Sequence, residues 1–200
     1  MGAGAGFTAL SLAKSARRAI ATDITPEMLV HTRVLAVRRR LANVEVALAA
    51  AFDLVACRLA AHHFRDVPAA LSEFRRATKP GGRLVICDTV SPEDEAVAAY
   101  MHHLECRRDP THVRNLAAST WRHLLTAAGL RLLAERPTRI PQEFEEWVAR
   151  AGTPSVEIGA LRRDLVEAPP AVREAFGIRV HRGTIRWAWD SPVFLAVRET

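Results

Sequence analysis

The sequence predicts an α/β protein built on a doubly wound, mostly parallel sheet. Apolar and amphipathic segments alternate through residue 90, which is the strand–helix order of this class. The run from Leu84 to Cys87 is continuously apolar, which predicts a strand buried on both faces. A glycine-rich stretch at residues 2–6 precedes a predicted helix, as in the loops of ligand-binding α/β sheets.

The element order follows from these patterns and their breakers. Strands are predicted at residues 19–23, 52–57 and 83–88, and helices at 7–16, 26–41 and 67–78. Beyond Pro92 the sequence predicts helices at 93–107 and 121–128 and a strand at 130–135. It then predicts a helical region over 141–176, broken at 152–154 and 169–170, and two extended segments in 184–198. We therefore expect a cofactor-binding half at 1–90, a helical lid or substrate region at 91–125, and segments at 126–200 that complete the same domain.

Composition narrows the class of protein. The chain has 200 residues, 49% of them hydrophobic, and no apolar run of the roughly 18 residues that a membrane span requires. The three cysteines lack metal-ligand spacing and no signal peptide is apparent, so we expect a cytoplasmic protein with reduced thiols. The net charge is +6, but the basic residues are dispersed and not interleaved with aromatics, which disfavours nucleic acid as a partner.

Glycines and an acid predict a nucleoside site. Gly2, Gly4 and Gly6 allow backbone to approach a ligand closely, and Asp23 ends the first predicted strand, where a carboxylate can accept both hydroxyls of a ribose. Each feature has an ordinary alternative: a flexible terminus for the glycines, and the start of a helix for Asp23. A dinucleotide fingerprint requires a third glycine where Phe7 stands, which disfavours a nicotinamide-dependent oxidoreductase.

Histidines follow the second strand of the series. His62 and His63 lie just beyond residues 52–57, where open α/β sheets bind ligands, and His103 lies in the predicted lid. These three are the candidate proton acceptors. A catalytic zinc needs three convergent ligands, and the only other histidine pair is at residues 102–103, so no metal is expected.

Several motifs together carry a family resemblance over essentially the whole chain. They are Gly-x-Gly-x-Gly, Thr-Asp-Ile-Thr-Pro-Glu-Met-Leu, Phe-Asp-Leu-Val, His-His-Phe, and Leu-Ser-Glu-Phe-Arg-Arg-Ala-Thr-Lys-Pro-Gly-Gly, in that order. In these motifs the chain resembles class I S-adenosylmethionine-dependent methyltransferases of the ubiquinone/menaquinone-biosynthesis type (methyltransferase type 11), in particular the small bacterial YcgJ-like subgroup. Residues 103–114 and 121–130 also resemble that subgroup.

The resemblance implies a Rossmann-like methyltransferase fold, S-adenosylmethionine (SAM) as cofactor and a small-molecule methyl acceptor. It implies that Gly2, Gly4, Gly6 and Asp23 hold the cofactor, with Ile24 against the adenine and Arg58 near the methionine part. The rival interpretation is a non-catalytic, methyltransferase-like remnant with a damaged cofactor pocket. The sequence leaves the oligomeric state open.

Two departures from the family pattern favour that rival. The family's first, central strand precedes the glycine loop, and here only Met1 stands there; we expect this strand to be encoded upstream of Met1. The family also has a longer, acid-containing connection before Phe52. The six peptide steps from Val46 to Phe52 reach at most about 20 Å. We therefore expect residues 44–51 to form a connector that does not pair with the strand at 19–23, which compromises the family's third strand.

Overall fold

The computed structural model describes residues 4, 6–23, 26–46 and 52–199. Its helices are α1 Phe7–Leu12, α2 Pro26–Arg38, α3 Val67–Ala77, α4 Glu95–Arg108, α5 Ala118–Ala127, α6 Phe144–Ala151, α7 Ser155–Val166 and α8 Pro170–Phe176. Its strands are β1 Ala19–Ala21, β2 Val44–Val46, β3 Phe52–Arg58, β4 Thr78–Cys87, β5 Leu130–Arg136, β6 Arg139–Glu143, β7 Arg179–His181, β8 Thr184–Asp190 and β9 Val193–Arg198. Within these described ranges, no helix combines the length and the apolar character needed to cross a membrane.

Strands β1 and β2 form a parallel two-stranded sheet, in which Ala19 pairs with Val44 and Ala21 with Val46. The expectation that residues 44–51 do not pair with this strand is therefore wrong for β2, while residues 47–51 lie outside the described residues. The expectation assumed one continuous sheet of fixed strand spacing. The described strands instead form separate hydrogen-bonded sheets, with β1 and β2 apart from the sheet that contains β3.

The side chain of Asn43 holds the entry to β2 in place. Its amide donates to the carbonyls of Ala13 (2.8 Å) and Ala16 (2.9 Å) at the end of α1. The backbone carbonyl of Asn43 accepts a hydrogen bond from the Ala19 amide at 2.9 Å. These bonds satisfy backbone groups at the helix end and set the β1–β2 register.

The main sheet has the order β3-β4-β9-β5. Strands β3 and β4 are parallel, whereas β9 runs antiparallel to both β4 and β5. Helices α3 and α5 contribute Leu71, Phe74 and Leu125 to the core beneath this sheet. The extended segments predicted near residues 130 and 184–198 are thus confirmed as strands.

The prediction that residues 84–87 are buried on both faces is half right. Leu84 and Ile86 are fully buried, but Val85 on the opposite face is only partly covered. With Leu54 and Leu195, Val85 lines an open cavity of about 600 Å³. The apolar run therefore forms a strand that is buried on one face and partly covered on the other.

A second core lies around an antiparallel sheet of order β6-β8-β7. Its members include the indoles of Trp147, Trp187 and Trp189, together with Met101 and Leu104 from α4. The helical region predicted over 141–176 breaks where expected, but residues 141–143 belong to β6. Helix α4 is thus packed into this second core along one of its faces.

Candidate active site

The glycine loop and Asp23 contact each other directly. The Gly4 amide donates to Asp23 Oδ2 at 2.7 Å, and Gly4 and Gly6 have φ of 52° and 79°. A Cβ on Gly6 would lie 2.5 Å from the Thr32 side chain, so only glycine lets this turn rest on α2. The loop and the strand-end carboxylate therefore fit the nucleoside part of a cofactor such as SAM.

Three other residues were predicted to bind the cofactor, and the structure describes one of them, Arg58. Gly2 and Ile24 lie outside the described residues. Arg58 is exposed at the end of β3. The next residue, Leu59, has a φ of 47° and donates its amide to the Cys87 carbonyl, which ties the end of β3 to the end of β4.

Asp88 organises the turn that follows β3. Its carboxylate is 1% exposed, and Oδ2 accepts the amides of Ala60 (3.1 Å), Ala61 (2.6 Å) and His62 (3.3 Å). Oδ1 accepts the Thr89 amide and lies 2.5 Å from Nδ1 of His62. One buried acid thus fixes the short 3₁₀ turn Ala61–His63 and the His62 ring together.

The contact with Asp88 sets the tautomer of His62. A carboxylate only accepts hydrogen bonds, so Nδ1 carries the proton and Nε2 of the neutral ring holds a free lone pair. Burial is the largest influence on the pKa of His62 and lowers it. The hydrogen bond and charge of Asp88, with the charge of Glu105, outweigh burial and raise the pKa above its ordinary value. This is the arrangement of an oriented general base.

His63 and His112 complete a cluster of rings beside His62. The ring of His63 lies 4.2 Å from that of His62 and places Nδ1 3.0 Å from the Thr111 carbonyl oxygen. The ring of His112 stacks 5.6 Å from that of His62. Burial, followed by the neighbouring histidines, lowers the pKa of His112 to about 4, so its ring is neutral at physiological pH.

His103 does not join this cluster. It lies on another face of α4, where Nε2 is 3.2 Å from a guanidinium nitrogen of Arg107 and 3.5 Å from an Asp164 carboxylate oxygen. The structure therefore brings His62 and His63 together and leaves His103 beside α7. The neighbouring His102 is the lid histidine that approaches His112, with ring centroids 5.8 Å apart.

A cavity of about 360 Å³ opens between α4 and the segment after His112. It is lined by Ser91, Ala98, Ala99, Met101, His102, Val113, Arg114 and Asn115. The amides of Val113 and Arg114 donate to the His62 carbonyl, so the cavity wall is tied to the His62 turn. Asn115 accepts from Thr89 through Oδ1, while its buried Nδ2 has no hydrogen-bond partner among the described residues.

Asp88, His112 and Asn115 were missed as functional residues by the sequence reasoning. A signal existed for Asp88, since it is an acid at the carboxyl end of an apolar strand, like Asp23. No comparable signal existed for His112 and Asn115, because their approach to residues 62 and 89 depends on how the chain beyond α4 returns to the sheet.

The sequence and the fold of this chain are similar to those of known proteins. A family profile described as a methyltransferase domain matches residues 1–86. The chain is also 32% identical over 191 residues to the uncharacterised methyltransferase YcgJ of Bacillus subtilis, an alignment that covers 91% of this chain and 76% of that protein. The chain therefore belongs to the S-adenosylmethionine-dependent methyltransferase family.

Further relatives agree in sequence and fold. The uncharacterised protein YafE of Escherichia coli is 40% identical over 129 residues, covering 64% of this chain and 62% of YafE. The crystal structure of YcgJ superposes with a TM-score of 0.92 at 30% identity, covering 100% of this chain and 90% of that chain. A protein from Bacillus halodurans C-125 gives the same TM-score and the same coverage at 26% identity. The Rossmann-like α/β fold class is thereby confirmed.

Proposed function

We propose that this protein transfers a methyl group from SAM to a small molecule bound in the cavity beside α4, with His62 as general base. The observation that carries this proposal is the 2.5 Å contact between His62 Nδ1 and the buried Asp88 carboxylate. The contact orients the ring so that Nε2 can take a proton from the attacking atom of the acceptor. His63, whose Nδ1 lies at Thr111, is the reserve candidate.

The glycine loop and Asp23 would hold the cofactor. Asp23 accepts from the Gly4 amide, so a bound ribose would meet a carboxylate already fixed relative to the loop. Arg58, exposed at the end of β3, is the residue proposed for the methionine part. When bound, SAM supplies an electrophilic methyl group, and the task of the protein is then alignment and proton removal.

The cavity favours a small acceptor with a polar group. Its volume of about 360 Å³ lies at the lower end of the usual range for small-molecule sites. The unpartnered Nδ2 of Asn115 offers a donor to an acceptor oxygen or nitrogen. We propose that residues 91–125, which supply α4 and most of the cavity wall, act as the substrate region of a cytoplasmic enzyme.

Calorimetric titration with SAM and with S-adenosylhomocysteine tests the cofactor half of the proposal. Mass spectrometry of a small-molecule acceptor panel incubated with SAM then tests transfer. We expect binding in the micromolar range and a mass gain of one methyl group on an acceptor, reduced about 100-fold or more in His62→Ala. Full transfer by His62→Ala would remove the assigned role of that ring.

The rival function is a non-catalytic methyltransferase-like module. It is favoured by the separation of the β1–β2 sheet from the sheet that contains β3 among the described strands. The same titration separates the two possibilities, because a remnant with a damaged pocket would show no saturable heat with either nucleoside.

A further inference from the structure

Three side chains converge at the outer face of the histidine cluster. His102 and Cys106 stand one turn apart on α4, and His112 approaches them from the segment that follows the helix. One ligand atom from each lies within 4.8 Å of the other two. Cys106 Sγ is already 3.5 Å from the ring nitrogens of His102.

The distance between His102 and Cys106 matches the edge of a zinc coordination tetrahedron. Zinc–sulfur and zinc–nitrogen bonds of about 2.3 and 2.1 Å place neighbouring ligand atoms roughly 3.3–3.7 Å apart. The His102–Cys106 pair satisfies this spacing as it stands. The third ligand needs a displacement of at most about 1.5 Å, which a side-chain rotation supplies.

His112 provides an independent sign of a missing partner. His112 is only 8% exposed. Its buried Nε2 has no hydrogen-bond partner among the described residues. A buried polar atom without a partner has lost its hydrogen bonds to water and gained none in return, which is unfavourable. A coordinated cation would remove that cost.

We propose that His102, Cys106 and His112 bind a borderline-soft divalent cation of the zinc class. Two imidazoles and one thiolate suit Zn²⁺ and Co²⁺, whereas Mg²⁺ and Ca²⁺ require oxygen ligands. Binding converts the Cys106 thiol to a metal-bound thiolate and releases its proton to solvent, so the three-ligand centre carries one net positive charge. This site revises the sequence expectation of no metal.

The three protein ligands leave one tetrahedral position for a water molecule or another small donor. Purely structural zinc sites have four protein ligands, whereas sites with an open position can bind a further molecule. His102 also lines the cavity beside α4, so the site borders the volume proposed for the acceptor. The metal site does not depend on the proposed methyl transfer, since it uses neither His62 nor Asp88.

Titration with Co²⁺ under reducing, anaerobic conditions tests the site on the untagged full chain. We expect saturation at one equivalent, with a thiolate-to-cobalt charge-transfer band and the visible bands of tetrahedral Co²⁺. Added Zn²⁺ should displace the signal. Cys106→Ser should abolish the charge-transfer band, and His102→Gln should weaken affinity at least about tenfold.

Two variants serve as matched controls. His123→Gln removes an exposed histidine on α5, and Cys87→Ser removes a partly exposed thiol on β4, and both should leave the titration unchanged. Circular dichroism of each variant verifies folding. The proposal is overturned by the absence of saturable Co²⁺ binding, by binding without a charge-transfer band, or by an unchanged band in Cys106→Ser.

Discussion

Asp88 Oδ1 lies 2.5 Å from His62 Nδ1, while Oδ2 of the same carboxylate accepts three consecutive backbone amides. The acid therefore links the end of β4 to the turn after β3 and orients the proposed base. Structure and chemistry depend on the same side chain at this point, so its substitution should have two separable effects.

We expect Asp88→Ala to lower the free energy of unfolding by about 2–4 kcal/mol, because buried amides lose their acceptor. Asp88→Asn keeps the shape but removes the charge, and it should shift the His62 ring away from a single tautomer. Urea denaturation measures the first effect, and ring-nitrogen chemical shifts of labelled histidine measure the second.

Asp66→Asn is the control for this pair of variants. Asp66 caps α3 by accepting the Ala69 amide, and asparagine is an equally good N-cap, so stability and the His62 tautomer should both be retained. A wild-type tautomer in Asp88→Asn would show that the carboxylate does not orient the ring.

Asp23→Ala should weaken SAM binding by about 2–4 kcal/mol, since two charge-assisted hydrogen bonds to a ribose are lost and water compensates in part. Calorimetric titration measures the change. Asp53 is an exposed acid at the start of β3 and is paired with Lys79. The control variant Asp53→Ala should bind SAM as the wild type does. Equal affinities for Asp23→Ala and the wild type would remove Asp23 from the cofactor site.

The Cys57 thiol should make stability fall in alkaline solution. Burial, reinforced by the charge of Asp88, raises the pKa of Cys57 from 9.0 to about 12. The unfolded chain therefore loses this proton at lower pH than the folded chain. The contribution of this thiol to the free energy of unfolding is complete below pH 9. It declines as the pH rises toward 12, by up to about 1.4 kcal/mol per pH unit.

Urea denaturation across this range isolates the thiol by comparison of variants. Cys57→Ala should lose the corresponding part of the decrease in the free energy of unfolding at alkaline pH. Cys87→Ala, which removes a partly exposed thiol, should keep that decrease. Identical slopes in Cys57→Ala and the wild type would contradict the assignment.

Two glycines should respond to alanine with opposite signs. A Cβ on Gly82 would meet the Lys79 carbonyl at 2.8 Å and the Phe52 carbonyl at 3.0 Å, so Gly82→Ala should cost about 1–3 kcal/mol. Gly159 lies inside α7 with only an arginine tip at 3.9 Å, so Gly159→Ala should stabilise by about 0.5–1 kcal/mol. Urea midpoints of the two variants, measured side by side, test both signs.

Local patterns in the sequence were sufficient for most of the fold. The strand and helix order up to residue 90 apart from β2, the breaks at 152–154 and 169–170, and the two terminal strands were predictable, because they depend on periodicity and on breaker residues. The β1–β2 pairing was predicted wrongly because strand spacing was taken from a continuous sheet. The three-stranded antiparallel sheet was missed because β6 and β7 are short and carry little alternation.

Site residues were predictable only where their position at the end of a predicted strand or the start of a predicted helix indicates ligand binding. Glycines before a helix, Asp23 at a strand end and His62–His63 beyond β3 follow from the geometry of parallel sheets. The partner of His62, the third ring at His112 and the convergence of His102 with Cys106 depend on contacts between segments that are distant in sequence. Such contacts leave no periodic signal in a single sequence.

Strand β9 follows every other described strand in the chain, yet it lies inside the main sheet between β4 and β5. Val197 pairs with Arg83 on one side and with Arg131 on the other. A chain emerging from the ribosome can build α3, β4 and β5 early, but it cannot close the sheet until residue 198 has left the exit tunnel. Until then the facing edges of β4 and β5 present unpaired backbone groups, which are a template for pairing with other chains.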